Sequence, residues 1–261
     1  MNPKFSIITI VYNGEYFIEG TMQSVLNQTF PDYEYIIIDG ASKDSTVSLI
    51  QDFAPQTPKG GSPIFKWISE PDKGLYDAMN KGLRLATGDF LLFLNAGDRL
   101  FESTTLEKIA TACTPTTDIL YGETMLVDDT RRHIGTRTDI TVQKLPEKLS
   151  WKSMRLGMVV CHQSFLPARK IAPQYIDNNL AADIDWVIKC LKSAETVTNT
   201  HTIISEYLMG GVSKKKHQQS LRDRYAVLKT HFGAVDNFLN HILITFRAAV
   251  FKFQNIGKAK Y

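Results

Sequence analysis

Four short, almost wholly apolar runs, each paired with a segment of helical periodicity, fill the first hundred residues and leave few folds open. Residues 5–11 are rich in β-branched side chains, and residues 35–38, 65–68 and 90–94 repeat the pattern. Runs this short, without polar alternation, are strands buried on both faces. Between them, residues 15–28 place Phe17, Ile18, Met22, Val25 and Leu26 on one helical face. Residues 46–53 follow a Ser/Asp turn suited to a helix start, and residues 75–86 supply a third helix. Residues 54–63, rich in Pro and Gly, read as a loop. This β-α cadence predicts an α/β domain built on a mostly parallel sheet with helices on both faces.

In such sheets ligands bind at the carboxyl ends of the strands. The residues there are Tyr12, Asn13 and Gly14, then Asp39 and Gly40, then Asn95, Ala96, Gly97 and Asp98. A carboxylate on a turn of small residues, as at Asp98, suits a divalent cation that completes its shell with substrate phosphates; it equally suits capping the next helix. Asp39 can accept hydrogen bonds from a base or ribose, or close an Asx-turn with Ser42. Tyr12 can stack on a base or fill a core. Past residue 106 the pattern loosens. Residues 119–123 and 124–128 suggest two further strands, and residues 183–191 a helix opened by acidic side chains.

Taken together, these blocks resemble the family 2 glycosyltransferases. Ser6 to Asn13, Ser24 to Phe30 and Tyr35 to Thr46 match the family's opening. Glu70-Pro-Asp72-Lys-Gly74 through Asp77, Asn80, Lys81 and Gly82, followed by Asn95-Ala-Gly-Asp98, is similar to members that build bacterial exopolysaccharide and O-antigen repeat units. The resemblance implies a GT-A fold, a three-layer sandwich, and inverting transfer of one sugar from a nucleotide-sugar, a UDP-sugar favoured, to a saccharide or lipid-linked acceptor. It implies donor contacts from Thr9, Tyr12, Asn13, Asp39, Asn80 and Asn95, with Asp98 holding Mg²⁺ or Mn²⁺. The family motif often carries aspartate where this chain has Asn95 and Gly97. By the same likeness Asp183 takes the general-base position, with Ala182 replacing the usual glutamate and Asp185 as the competing carboxylate. His162, Gln163, Asp185 and Gly211 fall on the acceptor side.

Other classes fit poorly. With 30 Lys+Arg against 27 Asp+Glu the net charge is +3, too balanced for a dedicated nucleic-acid binder. The three cysteines have no metal-site spacing and read as reduced thiols of a cytoplasmic protein. A nucleotidyltransferase would carry a glycine-rich basic loop after the first strand, where this chain has Tyr12-Asn13-Gly14-Glu15. A glycoside hydrolase needs two carboxylates flanking one bond. The remaining rival is a non-catalytic nucleotide-sugar-binding partner of a polysaccharide assembly complex.

No signal peptide or apolar run long enough to span a membrane is expected. We divide the chain into a glycosyltransferase domain at 1–213 (donor half 1–125, acceptor half 126–213) and a basic, amphipathic helical extension at 214–261. Gln219, Arg222 and Asp223 resemble the Gln-x-x-Arg-Trp motif of processive synthases, but with Asp223 in place of the tryptophan they read as a solvated helix face. Phe238, Leu239, Ile242, Leu243, Phe246, Ala249, Val250 and Phe253 share one helical face beside Arg247, Lys252, Lys258 and Lys260, downstream of the basic run Lys214-Lys215-Lys216. That face suits peripheral binding to an anionic membrane surface, at the inner face of the cytoplasmic membrane. It suits equally well packing on the domain or on a second subunit of a homo-oligomer.

Overall fold

A computed structural model describes residues 3–53, 64–210 and 216–254. The expected loop at 54–63, Gly211 to Ser213, Lys214, Lys215, Lys258 and Lys260 lie outside the described residues.

The first sheet contains β1 (Phe5–Val11), β2 (Tyr33–Asp39), β3 (Ile64–Ser69) and β4 (Phe90–Phe93), all parallel in the order β3-β2-β1-β4. Every residue of β1 and β2 is buried, which is why both read as continuous apolar runs. Alternation along the strands divides them between two cores. Ile8, Ile10, Ile36 and Ile38 face α3 (Leu75–Leu85) and α6 (Ala182–Ser193). Phe5, Ile7, Tyr33, Tyr35 and Ile37 face α1 (Ile18–Leu26), α2 (Thr46–Phe53) and α4 (Thr105–Ala112). At the centre of the first core, Trp186 of α6 stacks on Tyr175 at 4.8 Å and meets Phe93 and Phe165 edge-on.

The second sheet joins β5 (Arg99–Leu100), β6 (Ile119–Val127), β7 (His133–Thr136), β8 (Phe165–Pro167) and β9 (Val197–Leu208), in the order β5-β9-β6-β7 with β8 on β6. A short helix α5 (Arg137–Ile140) follows β7. The two strands expected at 119–128 are one. Its pairing with β9 shifts register on both sides of Glu123, and a Cβ at the adjacent Gly122 would lie 2.5 Å from the Thr202 carbonyl oxygen. The bulge bends one strand where the sequence pattern suggests a break.

Two helices close the described chain, α7 (His217–Phe232) and α8 (Ala234–Gln254), with Gly233 between them at φ +82°. α7 packs against the domain through Val227 and Leu228, and Phe232 stacks on Trp151 at 5.4 Å. Asp223, on the face expected to be solvated, accepts a hydrogen bond from the Leu180 amide at 2.8 Å and so braces the approach to α6.

Candidate active site

Strand register brings the first group of site residues together. Val11 pairs with Asp39 and Asp39 with Ser69, so three strand ends finish level. Ser69 Oγ donates to Asp39 Oδ2 at 2.6 Å, the Ser42 amide donates to the same oxygen at 3.0 Å, and Ser42 Oγ donates to Oδ1 at 2.5 Å. Asp39 therefore forms the Asx-turn with Ser42 and is fully buried. Asn13, at φ +49°, accepts from the Lys43 amide on Oδ1, while its own amide donates to Ser42 Oγ, each at 2.8 Å. These bonds fasten the loop after β1 to the loop after β2. Above them the Tyr12 ring is 62% exposed. A Cβ at Gly40 would meet Asp72 Oδ2 at 2.4 Å and the Tyr12 ring at 3.3 Å, so the missing side chain lets both close over the strand ends. The result is an aromatic face with carboxylates beneath and beside it, a shape that takes a flat heterocycle.

The second group lies beyond β4. Main-chain bonds from Leu94 to Ile8 and from Ala96 to Ile10 carry the chain alongside β1 to Asp98. Gly97 adopts φ +104°, and its amide donates to Thr21 Oγ at 3.0 Å. That left-handed turn is why glycine stands where an aspartate would be strained. The buried Asp98 carboxylate accepts from Gln163 Nε2 at 2.9 Å and from the Leu208 amide at 3.1 Å. Burial pushes its pKa up to about 7, against those two hydrogen bonds and the attraction of Arg131.

His162 links this loop to α6. Its Nε2 lies 3.3 Å from Asn95 Nδ2, and its Nδ1 lies 3.9 Å from Asp183 Oδ2. With Asn95 donating, Nε2 is the acceptor and the proton on Nδ1 faces Asp183. Burial holds the ring pKa down at about 4, so the ring is neutral near pH 7. Asp183, in the first turn of α6, keeps 26% of its side chain exposed. Burial of the rest raises its pKa to about 6, against hydrogen bonds from the Ile184 amide and the neighbouring Tyr76 hydroxyl. A carboxylate open to the cleft, ionised at neutral pH and not far from titrating, has the properties of a general base.

Several expected site residues have other work. Thr9 is fully buried; its hydroxyl donates to the Leu94 carbonyl and meets Tyr35 Oη, tying strands together without reaching the cleft. Asn80 is clamped on Tyr175, Nδ2 donating to its carbonyl at 3.0 Å and Oδ1 accepting from its amide at 2.8 Å. Its amide is spent on packing, not on a donor. Gln163, expected on the acceptor side, holds Asp98. Asp185 points away from Asp183 into the α7 contact, where it pairs with His231 at 2.8 Å and Lys189 at 2.7 Å. Burial raises its pKa and these two partners more than offset that, leaving it below the usual range. Asp185→Ala should cost about 1–3 kcal/mol of stability and leave nucleotide affinity of the folded protein unchanged. Denaturant unfolding beside ligand titration checks this, and lost activity without lost stability would return Asp185 to the site.

Sequence reasoning passed over Tyr76, the Leu208 amide and Arg131. Arg131 sits at φ +66° in the β6–β7 turn, where its guanidinium is attracted by Asp98 and Glu206. Nothing in its local sequence marks it; only the hairpin's return past the end of β9 brings it there.

The comparisons agree with this architecture. A mannosyltransferase, PcManGT from Pyrobaculum calidifontis, solved with GDP-Man and Mn²⁺, superposes with a TM-score of 0.68 at 16% identity, covering 100% of this chain and 77% of that one. S. aureus TarS 1-349 in complex with UDP-GlcNAc gives 0.64 at 16% identity over 87% of this chain, which spans 66% of the TarS chain. At that identity both likenesses establish the GT-A fold alone. A PGL/p-HBAD biosynthesis glycosyltransferase of Mycobacterium bovis is 32% identical over 219 residues, 81% of this chain and 79% of its own. The family model described as glycosyl transferase family 2 matches residues 6–172. With more than half its length matched by that model, this chain belongs to glycosyl transferase family 2 and is a glycosyltransferase.

Proposed function

We propose that the enzyme moves one sugar, with inversion, from a nucleotide-diphosphate sugar to a saccharide or lipid-linked acceptor in cell-surface polysaccharide assembly, a UDP-sugar being the favoured donor. The observation that carries this reading is Asp183. It is a carboxylate of raised pKa, a quarter exposed, at a helix N-terminus, and neutral His162 lies between it and the Asn95–Asp98 loop. The base of the donor would lie against Tyr12, with Asp39 and Asp72 supplying acceptors for its ring N–H or the ribose hydroxyls. Asp183 would take the proton of the acceptor hydroxyl as that oxygen attacks the anomeric carbon from the face opposite the leaving diphosphate. His162 Nδ1–H would orient the carboxylate without neutralising it, because the ring is uncharged.

A divalent cation fits the residues present. Asn95 Oδ1 is buried without a hydrogen-bond partner, and Asp98 is a buried carboxylate, while the described residues hold no group of three His, Cys, Asp or Glu able to cage a metal. One carboxylate and one amide oxygen suit Mg²⁺ or Mn²⁺, which fill most of their shell with water and phosphate oxygens. When bound, such an ion would supply positive charge to the departing diphosphate. Asp98 and Asn95 would hold it, and Gln163 and the Leu208 amide would keep Asp98 in place.

A thermal-shift panel of nucleoside diphosphates and nucleotide sugars, with and without Mn²⁺, tests the reading. Ligand at a hundred times its dissociation constant adds about 2.7 kcal/mol, which for a chain of this size is a rise of about 5–10 °C. The expected result is a shift for one nucleotide series, larger with Mn²⁺. No shift with any donor at millimolar concentration would overturn it.

A further inference from the structure

Helix α8 is mounted with its apolar face outward. Phe238, Leu239, Ile242, Leu243, Phe246 and Phe253 are between 42% and 78% exposed, whereas the inward contacts are largely polar. Asn237 Nδ2 donates to the Tyr225 carbonyl at 3.1 Å, the His241 ring lies against Tyr225, and Arg247 Nη2 donates to the Val142 carbonyl at 2.8 Å. A helix held by its polar side keeps its apolar side for something else. Beside it lies a cleft of about 460 Å³, lined by Lys144, Lys152, Arg155 and Arg247 together with Ser150 and Ser153, and by no acidic residue. Arg247 stands one helical turn from Leu243, so the basic cleft borders the exposed apolar strip. No helix among the described residues is long and apolar enough to cross a membrane.

We propose that these two features form one surface that docks on an anionic lipid bilayer: the α8 side chains enter the interface, and the cleft receives the phosphate of a lipid headgroup. Charge complementarity selects this occupant. An apolar strip alone suits any greasy partner, but four cations and two hydroxyls in a concave site at its edge match a headgroup phosphate lying level with inserted side chains. Pairing two copies through the same strip would instead set two uncompensated basic clefts along one seam. The proposal goes beyond the transfer reaction and does not rest on it.

The test is co-sedimentation of the full chain with vesicles of phosphatidylcholine containing roughly 30% phosphatidylglycerol, against phosphatidylcholine alone. Binding is expected to the anionic vesicles, to weaken as salt is raised, and to resist millimolar inorganic phosphate. Lys152→Gln with Arg155→Gln should weaken it roughly 25-fold, since each basic side chain near an anionic surface is worth about fivefold. Ile242→Asp with Phe246→Asp should abolish it. All these positions are exposed or line the cleft, away from the catalytic groups, so nucleotide-induced thermal shifts should stay as in the wild type and show that the variants are folded. Equal binding to neutral vesicles, or no effect of the cleft substitutions, would overturn the headgroup site. A concentration-dependent dimer that Ile242→Asp dissolves, with no vesicle binding, would make the strip a contact between copies and overturn the whole proposal.

Discussion

Asp183→Asn should lose transfer by roughly 10²-fold or more, the scale of a positioned general base, while nucleotide-sugar affinity stays near that of the wild type. The same substitution should stabilise the fold. The folded carboxylate titrates near pH 6, above its ordinary range, because burial disfavours its charge. Below about pH 3 it is protonated folded or unfolded, and contributes nothing. As pH rises, the unfolded chain releases the proton first and gains relative stability until the folded group ionises near 6. Above that the full cost is present. A shift of about two units corresponds to at most about 3 kcal/mol, and with a quarter of the side chain in solvent we expect about 1–2 kcal/mol. Asparagine removes that cost and keeps an oxygen for the Ile184 amide. Denaturant unfolding at pH 8 and pH 4 should show the full gain at pH 8 and only a small part of it at pH 4. In the wild type, turnover should fall as pH drops through about 6, where the base becomes protonated. Near-normal turnover in Asp183→Asn would move the base elsewhere. A stability gain equal at both pH values would mean that burial does not raise the pKa of this carboxylate.

What the sequence revealed follows from where burial is symmetric. β1, β2 and β4 are covered on both faces, so each appears as an unbroken apolar run, and the parallel sheet with its ligand edge follows from their spacing. Local pattern places Asp39 and Asp98 at strand ends and Asp183 at a helix start, but the base role of Asp183 comes from the resemblance to the family and not from that pattern. Contacts made across the fold left no local mark. Asn80 belongs to a motif shared with the family, yet its partner is the main chain of Tyr175, 95 residues away. Asp183 and Asp185 are near-identical in sequence context, but α6 turns them to different sides, one toward His162 and the other into His231. Glu34 looks like a polar strand residue; it is fully buried, accepting from Ser6 Oγ at 2.6 Å and pairing with Lys66 at 2.7 Å. For α8 the periodicity located the apolar face, and only the polar contacts of Asn237, His241 and Arg247 established that it points outward.

Asp98→Asn should remove the increment that Mn²⁺ adds to nucleotide binding and lower transfer by about 10²–10³-fold, the loss typical of one group that stabilises developing charge. Nucleotide binding without metal should persist, because on the proposed reading the base would be held at Tyr12 and the β1 and β2 ends. Asparagine is the informative substitution. Its Oδ1 can still accept from the Leu208 amide, and a flip of the Gln163 amide offers Oε1 to its Nδ2, so both buried partners stay satisfied while the negative charge is gone. Asp98→Ala would instead strand two buried donors, at about 1–3 kcal/mol each, and mix a folding defect with the loss of charge. The measurement is the Mn²⁺-dependent part of the UDP thermal shift, taken beside turnover, for wild type and Asp98→Asn. If the increment and the turnover both survive, charge at the diphosphate does not come through Asp98. Arg131, drawn toward the same carboxylate, would then be the group to substitute next, because it is a cation whose position owes nothing to a metal.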